Sequence, residues 1–157
     1  MRRARSSAVV AGPQDMGVGL TRLAGYRQAL QRAGVGHSGE QVGQGDFSEA
    51  SGAAAVRHLL ERVPHLDAVF AASDLMACGA LRALREAGRR VPEDVAVVGH
   101  DDLPLASYAD PPLTTIRQPV ELLGQEMVRL LLHRLSDPDG DPESIILPTE
   151  LVVRASA

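Results

Sequence analysis

Short apolar runs rich in valine and alanine alternate along the chain with longer segments of helical periodicity. The clearest runs cover residues 6–11, 67–72 and 95–99. Strands that are separated by helices must be joined by crossover connections, and crossovers produce parallel pairing. Continuously apolar strands are also typical of sheets that are covered on both faces. The sequence therefore predicts an α/β fold with an open, mainly parallel sheet and helices on both faces.

The segments between these runs repeat apolar residues at intervals of three and four, which indicates helices. Gly34 and Gly88 are suited to end two of them, and Ser73 is suited to cap the start of one. We expect helices over about residues 19–33, 49–63, 73–88 and 120–135. Further strands are expected at residues 40–44 and 114–117, and as a final pair within residues 145–153 that is interrupted by Pro148.

The composition excludes several classes of protein. The chain has 157 residues, which suits one domain with an appendage, and its single cysteine, Cys78, rules out an internal disulfide framework. Its five histidines are scattered without zinc-ligand spacing, so we expect neither a metal nor another cofactor. No apolar run approaches the ~18 residues that span a membrane, and no signal peptide is recognisable. These features predict a cytoplasmic protein.

The charge distribution does not suit nucleic-acid binding by this chain. Its net charge is −4, and the only basic cluster consists of Arg2, Arg3 and Arg5. Proteins that bind the phosphate backbone usually present a basic surface. The remaining arginines are interspersed with carboxylates, so we expect no autonomous contact with DNA or RNA.

Polar residues gather where the predicted strands end. In open parallel sheets, ligands bind beyond the carboxyl ends of the strands. Four such ends are identifiable: the loop of residues 14–19 that leads into Arg22, the turn at 45–48, the corner at Ser73 and Asp74, and residues 100–102. If the sheet is parallel, these segments lie at one edge and form a single binding site.

The side chains at this edge suit a neutral polar ligand such as a sugar or a nucleobase. Arg22 offers a planar set of donors, Asp101 is a double acceptor, and Phe47 offers a flat apolar surface. The alternative is structural: Arg22 forms an ordinary ion pair with Asp101 or Asp102, and Phe47 packs in the core. His100 is at the same edge, where it either packs or makes binding sensitive to pH.

Few residues indicate catalysis. Cys78 falls in mid-helix among apolar neighbours, and no serine stands in the Gly-x-Ser-x-Gly context of a nucleophile elbow. Asp101 and Asp102 offer the oxygen ligands that a divalent cation prefers, although the sequence positions no third carboxylate beside them. We therefore expect no enzymatic activity, and a metal-dependent α/β enzyme that uses these two aspartates is the alternative.

Several motifs occur in the order and spacing of a known family. They are residues 22–26 (RLAGY), 45–48 (GDFS), 67–84 (DAVFAASDLMACGALRAL), 91–102 (VPEDVAVVGHDD), 111–119 (PPLTTIRQP) and 147–157 (LPTELVVRASA). Together they resemble the effector-binding domain of LacI/GalR transcription regulators, whose fold is that of the type I periplasmic binding proteins. The resemblance covers nearly all of the chain and implies the C-terminal subdomain of that domain.

The resemblance implies roles for five residues. In such regulators the arginine at the position of Arg22 binds ligand hydroxyls or polar edges, the aromatic at Phe47 stacks on the ligand, and the aspartate at Asp101 accepts hydrogen bonds from it. Ser73 stands where an asparagine is usual, and His100 replaces a usual aromatic. We therefore expect a small-molecule effector, carbohydrate or nucleobase-like, to be bound by these five residues.

The resemblance also implies a division of the chain. Residues 1–116 match the C-terminal subdomain, residues 117–148 supply a helix and strand that normally pack on the N-terminal subdomain, and residues 149–157 form a returning strand. The helix-turn-helix that binds DNA has no counterpart here, so we expect a truncated repressor that senses an effector and contacts DNA only through a part absent from this sequence. A periplasmic sugar-binding protein of a transporter is the alternative, disfavoured by the LTTIRQP segment and the missing signal peptide.

Two apolar helix faces predict association. One lies on the third predicted helix, on the side away from the sheet, and consists of Ala77, Cys78, Leu81 and Leu84. A helix with two apolar faces is usually buried on both sides. Independently, the resemblance implies a homodimer through this side of the helix. The other is the stripe of residues 120–135, which is exposed if its usual neighbour is missing. We expect that stripe to fold back on the sheet or to exchange with a second chain.

Overall fold

Four parallel strands form the main sheet in the computed structural model, which describes residues 6–36 and 38–157. The strands are β1 (Ser7–Ala11), β2 (Val42–Gln44), β3 (Ala68–Ala71) and β4 (Ala96–Val98). Their order across the sheet is β2–β1–β3–β4, and each neighbouring pair is parallel. The predicted parallel sheet is confirmed, while the basic cluster of Arg2, Arg3 and Arg5 lies outside the described residues.

Helices follow the strands in the predicted order. They are α1 (Gly17–Arg32), α2 (Glu49–Arg62), α3 (Asp74–Glu86), α4 (Leu105–Tyr108) and α5 (Val120–Ser136). The four longer helices begin and end close to the predicted residues. The sequence did not predict α4, because a single helical turn is too short to show a periodic apolar pattern.

Each face of the sheet has its own apolar layer, since successive strand residues point to opposite faces. On one face Ala8 and Val10 join residues of α2 and α3 in the larger core. On the other face Val9 and Ala11 pack with Leu23 of α1. Full burial of a valine side chain stabilises a fold by roughly 1.5–3 kcal/mol, so such strands need cover on both sides. The prediction of helices on both faces is confirmed.

The two helices on the larger-core face, α2 and α3, approach each other closely. A Cβ atom on Gly79 of α3 would overlap backbone atoms of Glu49 and Ala53, and one on Gly52 of α2 would overlap the backbone of Met76. The distance between two packed helices depends on the side chains at their contact, and glycine permits the shortest. This contact sets the position of α3, whose first turn stands beside the strand ends.

The side of α3 that was predicted to face a second chain is covered within this chain. Ala77, Leu81 and Leu84 are buried, and they belong to the same core as Ala106 of α4. The prediction of an outward face is wrong for these three residues, because periodicity shows that a second face is apolar but not which element covers it. Cys78 is half-buried and still reaches the surface.

The last part of the chain extends the sheet beyond β4. It contains an antiparallel pair of strands, β5 (Thr115–Arg117) and β6 (Glu150–Val152). A parallel bridge joins Val98, at the end of β4, to Thr114. Ser156 is buried against this edge, where its hydroxyl donates to the carbonyl of Val97 (2.6 Å) and accepts from the N–H of Thr114 (2.8 Å). The C-terminal residues are therefore part of the core structure.

The final strand pair predicted within residues 145–153 is wrong. Residues 141–149 have no regular secondary structure, and only residues 150–152 form a strand, β6. Pro148 lacks the N–H that a strand ladder requires. The side chain of Ile146 is 96% exposed, so it has found no apolar surface to pack on.

The helix α5 contains no buried residue. Val120, Met127, Leu131 and Leu135 are all more than half exposed. The prediction that this stripe folds back on the sheet is therefore wrong, and its exchange with a second chain stays a prediction. Within the described ranges, no helix combines the length and the apolarity needed to cross a membrane.

Candidate functional site

Arg22 and Asp101 meet across the ends of the strands. Arg22 lies in α1, and Asp101 lies in the loop that follows β4. The Nη2 atom of Arg22 donates to Oδ1 of Asp101 (3.0 Å), and its Nη1 atom donates to the carbonyl oxygen of Ala72 (2.6 Å). The two side chains are only 14% and 23% exposed. The ion pair that the sequence offered as an alternative is thus present.

One oxygen of Asp101 gathers three polar partners. Besides Arg22, Oδ1 lies 3.1 Å from Nδ1 of His100 and accepts a hydrogen bond from Nε2 of Gln118 (2.6 Å). Burial would raise the pKa of Asp101, but the hydrogen bond with His100 and the charge of Arg22 outweigh it and hold the pKa below its usual value. Within the part of the chain that the structure describes, no hydrogen bond reaches the second oxygen, Oδ2, and no buried side-chain oxygen lacks a partner. Oδ2 is therefore an accessible, charged acceptor on a fixed side chain.

The neighbouring Asp102 binds two arginines. Its Oδ1 accepts from Nη2 of Arg154 (2.6 Å), and its Oδ2 accepts from Nε of Arg117 (2.7 Å). Burial would raise the pKa of Asp102, but these two hydrogen bonds outweigh it and lower the pKa. Arg154 also donates through Nη1 to the carbonyl oxygen of Leu113 (2.8 Å). The network therefore ties the loop after β4 to β5 and to the segment that follows β6.

This network argues against a divalent cation at the two aspartates. A cation such as Mg²⁺ needs several oxygen atoms that are available to coordinate it. Both oxygens of Asp102 instead accept from guanidinium groups, and the residues that the structure describes contain no group of three His, Cys, Asp or Glu placed to hold a metal. The donor set does not fit the metal-dependent enzyme that the sequence left open.

A buried carboxylate that the sequence did not single out organises the same edge. Asp74, the first residue of α3, is fully buried. Its Oδ1 accepts from the hydroxyl of Thr115 (2.5 Å), and its Oδ2 accepts from the N–H of Leu103 (2.8 Å). Its own N–H donates to the carbonyl oxygen of His100 (2.8 Å). The only sequence signal for this residue was its position at a predicted strand end.

Phe47 and Ser73 stand at the adjacent strand ends, each with structural contacts of its own. Phe47 adopts a φ of 70° and packs against the larger core, with its ring in the space beside Gly12. The hydroxyl of Ser73 caps α3 by accepting from the N–H of Met76 (3.2 Å), as predicted for a helix N-cap. The structure thus brings Arg22, His100 and Asp101 into contact, and it places Phe47 and Ser73 after the ends of β2 and β3, at the same edge of the sheet.

Comparison with known proteins identifies the family of this chain. The family model described as periplasmic binding protein-like domain matches residues 2–157. The HTH-type transcriptional regulator CelR of Thermobifida fusca is 55% identical over 152 residues, which cover 97% of this chain and 45% of that protein. The ribose operon repressor of Escherichia coli (strain K12) is 41% identical over 150 residues, which cover 96% of this chain and 46% of that protein.

Solved structures give the same result. The transcriptional regulator CelR–cellobiose complex superposes with a TM-score of 0.94 and 54% identity, over 98% of this chain and 47% of that one. The Lac repressor bound to ONPG superposes with a TM-score of 0.89 and 37% identity, over 98% of this chain and 46% of that one. This chain spans slightly less than half of the length of these relatives. It belongs to the periplasmic binding protein-like family, and the relatives and solved structures compared above are transcriptional regulators or repressors.

Proposed function

We propose that this chain forms one wall of an effector-binding cleft and that it binds a carbohydrate or a nucleobase-like molecule without catalysing a reaction. The observation that carries the proposal is the state of Asp101, whose Oδ1 is held by Arg22 and Gln118 while Oδ2 is accessible. A sugar hydroxyl is a donor that suits this oxygen. The relative of known structure was solved in complex with cellobiose, which supports a carbohydrate as the first ligand to test.

In the proposed complex, polar side chains bind the hydroxyl groups of the ligand, and an aromatic side chain packs on its apolar face. Asp101 accepts from ligand hydroxyls, and Arg22 donates to them while it keeps its hydrogen bond to Ala72. Phe47 stacks on the ligand face, and Ser73 and His100 line the edge of the site. A charged donor and a charged acceptor at fixed positions discriminate between ligands by the arrangement of their polar groups, because a ligand that leaves either residue unpaired binds with lower affinity.

The second wall and the DNA contact are proposed to belong to parts of the regulator beyond this chain. The apolar stripe of α5 and residues 117–148 would pack on the other subdomain of the effector domain, which agrees with the absence of any buried residue in α5. Ligand that binds both walls would favour a closed cleft and shift the population of DNA-binding states, in the bacterial cytoplasm. The helix-turn-helix of such a regulator would make the DNA contact.

Replacing Arg22 with methionine is expected to lower the affinity for the effector by about 10- to 100-fold, since hydrogen bonds to charged groups contribute roughly 1.5–3 kcal/mol. Titration of the chain with cellobiose, ribose and cytidine, followed by NMR chemical shifts because one wall binds weakly, identifies the ligand and measures the change. Arg57→Met is the control, because Arg57 forms an exposed ion pair with Glu86 away from the strand ends. Equal affinities of Arg22→Met and the wild-type chain would contradict the proposed site.

We also propose a homodimer, through the surface that Cys78 still reaches. A groove beside Cys78 is lined by Arg82, Arg85 and Asp110, and Tyr108, which is 87% exposed, lies at the end of α4. The buried Leu81 is unsuited to test this, because a charge there would disturb the core itself.

Replacing Tyr108 with alanine is expected to shift the dimer towards monomer, because the truncation removes the large aromatic surface from the contact. Sedimentation velocity at several concentrations measures the change. Met127→Arg on α5 distinguishes the alternative, exchange of the apolar stripe: if only that variant dissociates the dimer, the interface lies on α5 and the groove is not involved.

A further inference from the structure

Two consecutive residues of the loop that follows β4 have left-handed backbone conformations. Asp101 has a φ of 119° and Asp102 has a φ of 55°. Residues other than glycine rarely adopt positive φ, and such a strained conformation persists only where the surrounding structure holds it in place. The conformation matters for the site, because it determines where the Asp101 carboxylate stands. Some part of the structure must therefore hold this segment.

Asp74 binds the loop immediately before and immediately after the two strained residues. Its N–H donates to the carbonyl oxygen of His100 (2.8 Å), and its Oδ2 accepts from the N–H of Leu103 (2.8 Å). Both hydrogen bonds involve a single residue, the first of α3. The two ends of the strained segment are thereby held at a fixed separation.

The carboxylate of Asp74 is itself held in one orientation. The Thr115 hydroxyl donates to Oδ1 (2.5 Å), and Thr115 is fully buried. Gly99 provides the space for this oxygen, because a Cβ atom there would overlap Oδ1. Burial raises the pKa of Asp74 and the charges of Asp101 and Asp102 raise it further, while the hydrogen bonds from Thr115 and Leu103 act in the opposite direction. A buried carboxyl group is kept at this position although burial disfavours its charge.

We propose that Asp74 is a positioning residue of the effector site: it holds the loop of residues 100–103 in the strained conformation that aligns Asp101 with Arg22. Because Asp74 is fully buried, this proposed role requires no contact between Asp74 and the effector. The proposal rests on the proposed function only where it concerns the effector. The effect on the loop is a property of the chain alone and is measured without ligand.

The first arm of the experiment measures amide hydrogen exchange by NMR in the chain without ligand. In Asp74→Ala both carboxylate oxygens are removed, so the N–H of Leu103 and the hydroxyl of Thr115 each lose their hydrogen-bond partner. The amides of Leu103 and Asp101 are expected to exchange at least about 10-fold faster than in the wild-type chain. Val56→Ala is the control, since Val56 is buried in α2 and its truncation destabilises the core without touching the loop.

Three milder variants keep the proposal testable if Asp74→Ala does not fold. Thr115→Val removes the hydroxyl that orients the carboxylate, and Thr115→Ser retains it. Gly99→Ala displaces the carboxylate without altering Asp74. We expect faster exchange at Leu103 in Thr115→Val and Gly99→Ala, and wild-type exchange in Thr115→Ser. Exchange at Leu103 that changes no more than in Val56→Ala would overturn the proposal.

The second arm titrates the same variants with cellobiose. Affinity is expected to fall by about 10-fold in Thr115→Val, to recover in Thr115→Ser, and to remain unchanged in Val56→Ala. Faster loop exchange with unchanged affinity would overturn the positioning role. If the wild-type chain does not bind cellobiose, that result contradicts the carbohydrate assignment, and the exchange measurements alone decide whether Asp74 holds the loop.

Discussion

Replacing Gly79 with alanine is expected to lower the free energy of unfolding by about 3 kcal/mol. The added Cβ would overlap the backbone of Glu49 and Ala53 in α2, and backbone atoms cannot move aside by changing rotamer. Overpacking of a core typically costs about 1–3 kcal/mol, and an overlap with backbone belongs at the upper end. Urea denaturation followed by circular dichroism measures the loss.

The matched control is the same substitution in another helix. Gly25 lies in α1, and a Cβ atom there would meet nothing within 4 Å. Gly25→Ala is expected to stabilise the chain by about 0.5–1 kcal/mol, because alanine has the higher helix propensity. The two substitutions should thus have opposite signs. A Gly79→Ala chain as stable as the wild type would show that α2 and α3 do not cross at this distance.

Replacing Asp102 with alanine is expected to lower the free energy of unfolding by about 2–4 kcal/mol at neutral pH. The substitution leaves Arg154, whose side chain is only 19% exposed, without its carboxylate partner. It also removes the ion pair between Asp102 and Arg117. Removal of one partner of a buried ion pair lowers the stability of the fold, because the other charge stays desolvated without compensation. Chemical denaturation at pH 7 measures the effect. Asp94→Ala, which breaks the pair with Arg90 at the surface, should have a much smaller effect.

The contribution of Asp102 should also depend on pH in a defined direction. Its pKa is lower in the folded chain than the usual value of 3.8, so the folded state favours the charged form. The stabilisation is therefore complete above pH ~4 and is lost as the pH falls through the folded-state pKa. The difference in stability between the wild-type chain and Asp102→Ala should shrink in acid. A difference that stays constant down to pH 2 would contradict the ion-pair network.

The strand ends could be predicted from the sequence because the fold class alone determines where they meet. Parallel strands place the residues that follow them at one edge of the sheet. Arg22 and Asp101 were therefore expected near each other, although they lie 79 residues apart in the sequence. Gln118 was missed because it follows β5, which joins the sheet through isolated bridges that no local pattern indicates. Asp74 was missed because an aspartate in the first turn of a helix usually needs no other explanation.

The errors on α3 and on residues 145–149 have a common cause. An apolar side chain in the sequence shows a preference for burial but not the surface that satisfies it. Leu81 and Leu84 are covered by the core they share with α4, whose short sequence has no recognisable period. Ile146 finds no surface at all. Such assignments require the arrangement of elements that are distant in the sequence.

The buried position of Ser156 has a consequence for how this protein is made. Its hydroxyl bonds Val97, which lies 59 residues earlier in the chain. At ~5–20 residues per second, β4 leaves the ribosome about 3–12 s before the residue that closes its edge. During that interval the edge of a growing sheet has unpaired N–H and carbonyl groups, which favour pairing with other chains. Translation speed and chaperone access over these 59 residues should therefore influence the yield of folded protein more than they do elsewhere in the chain.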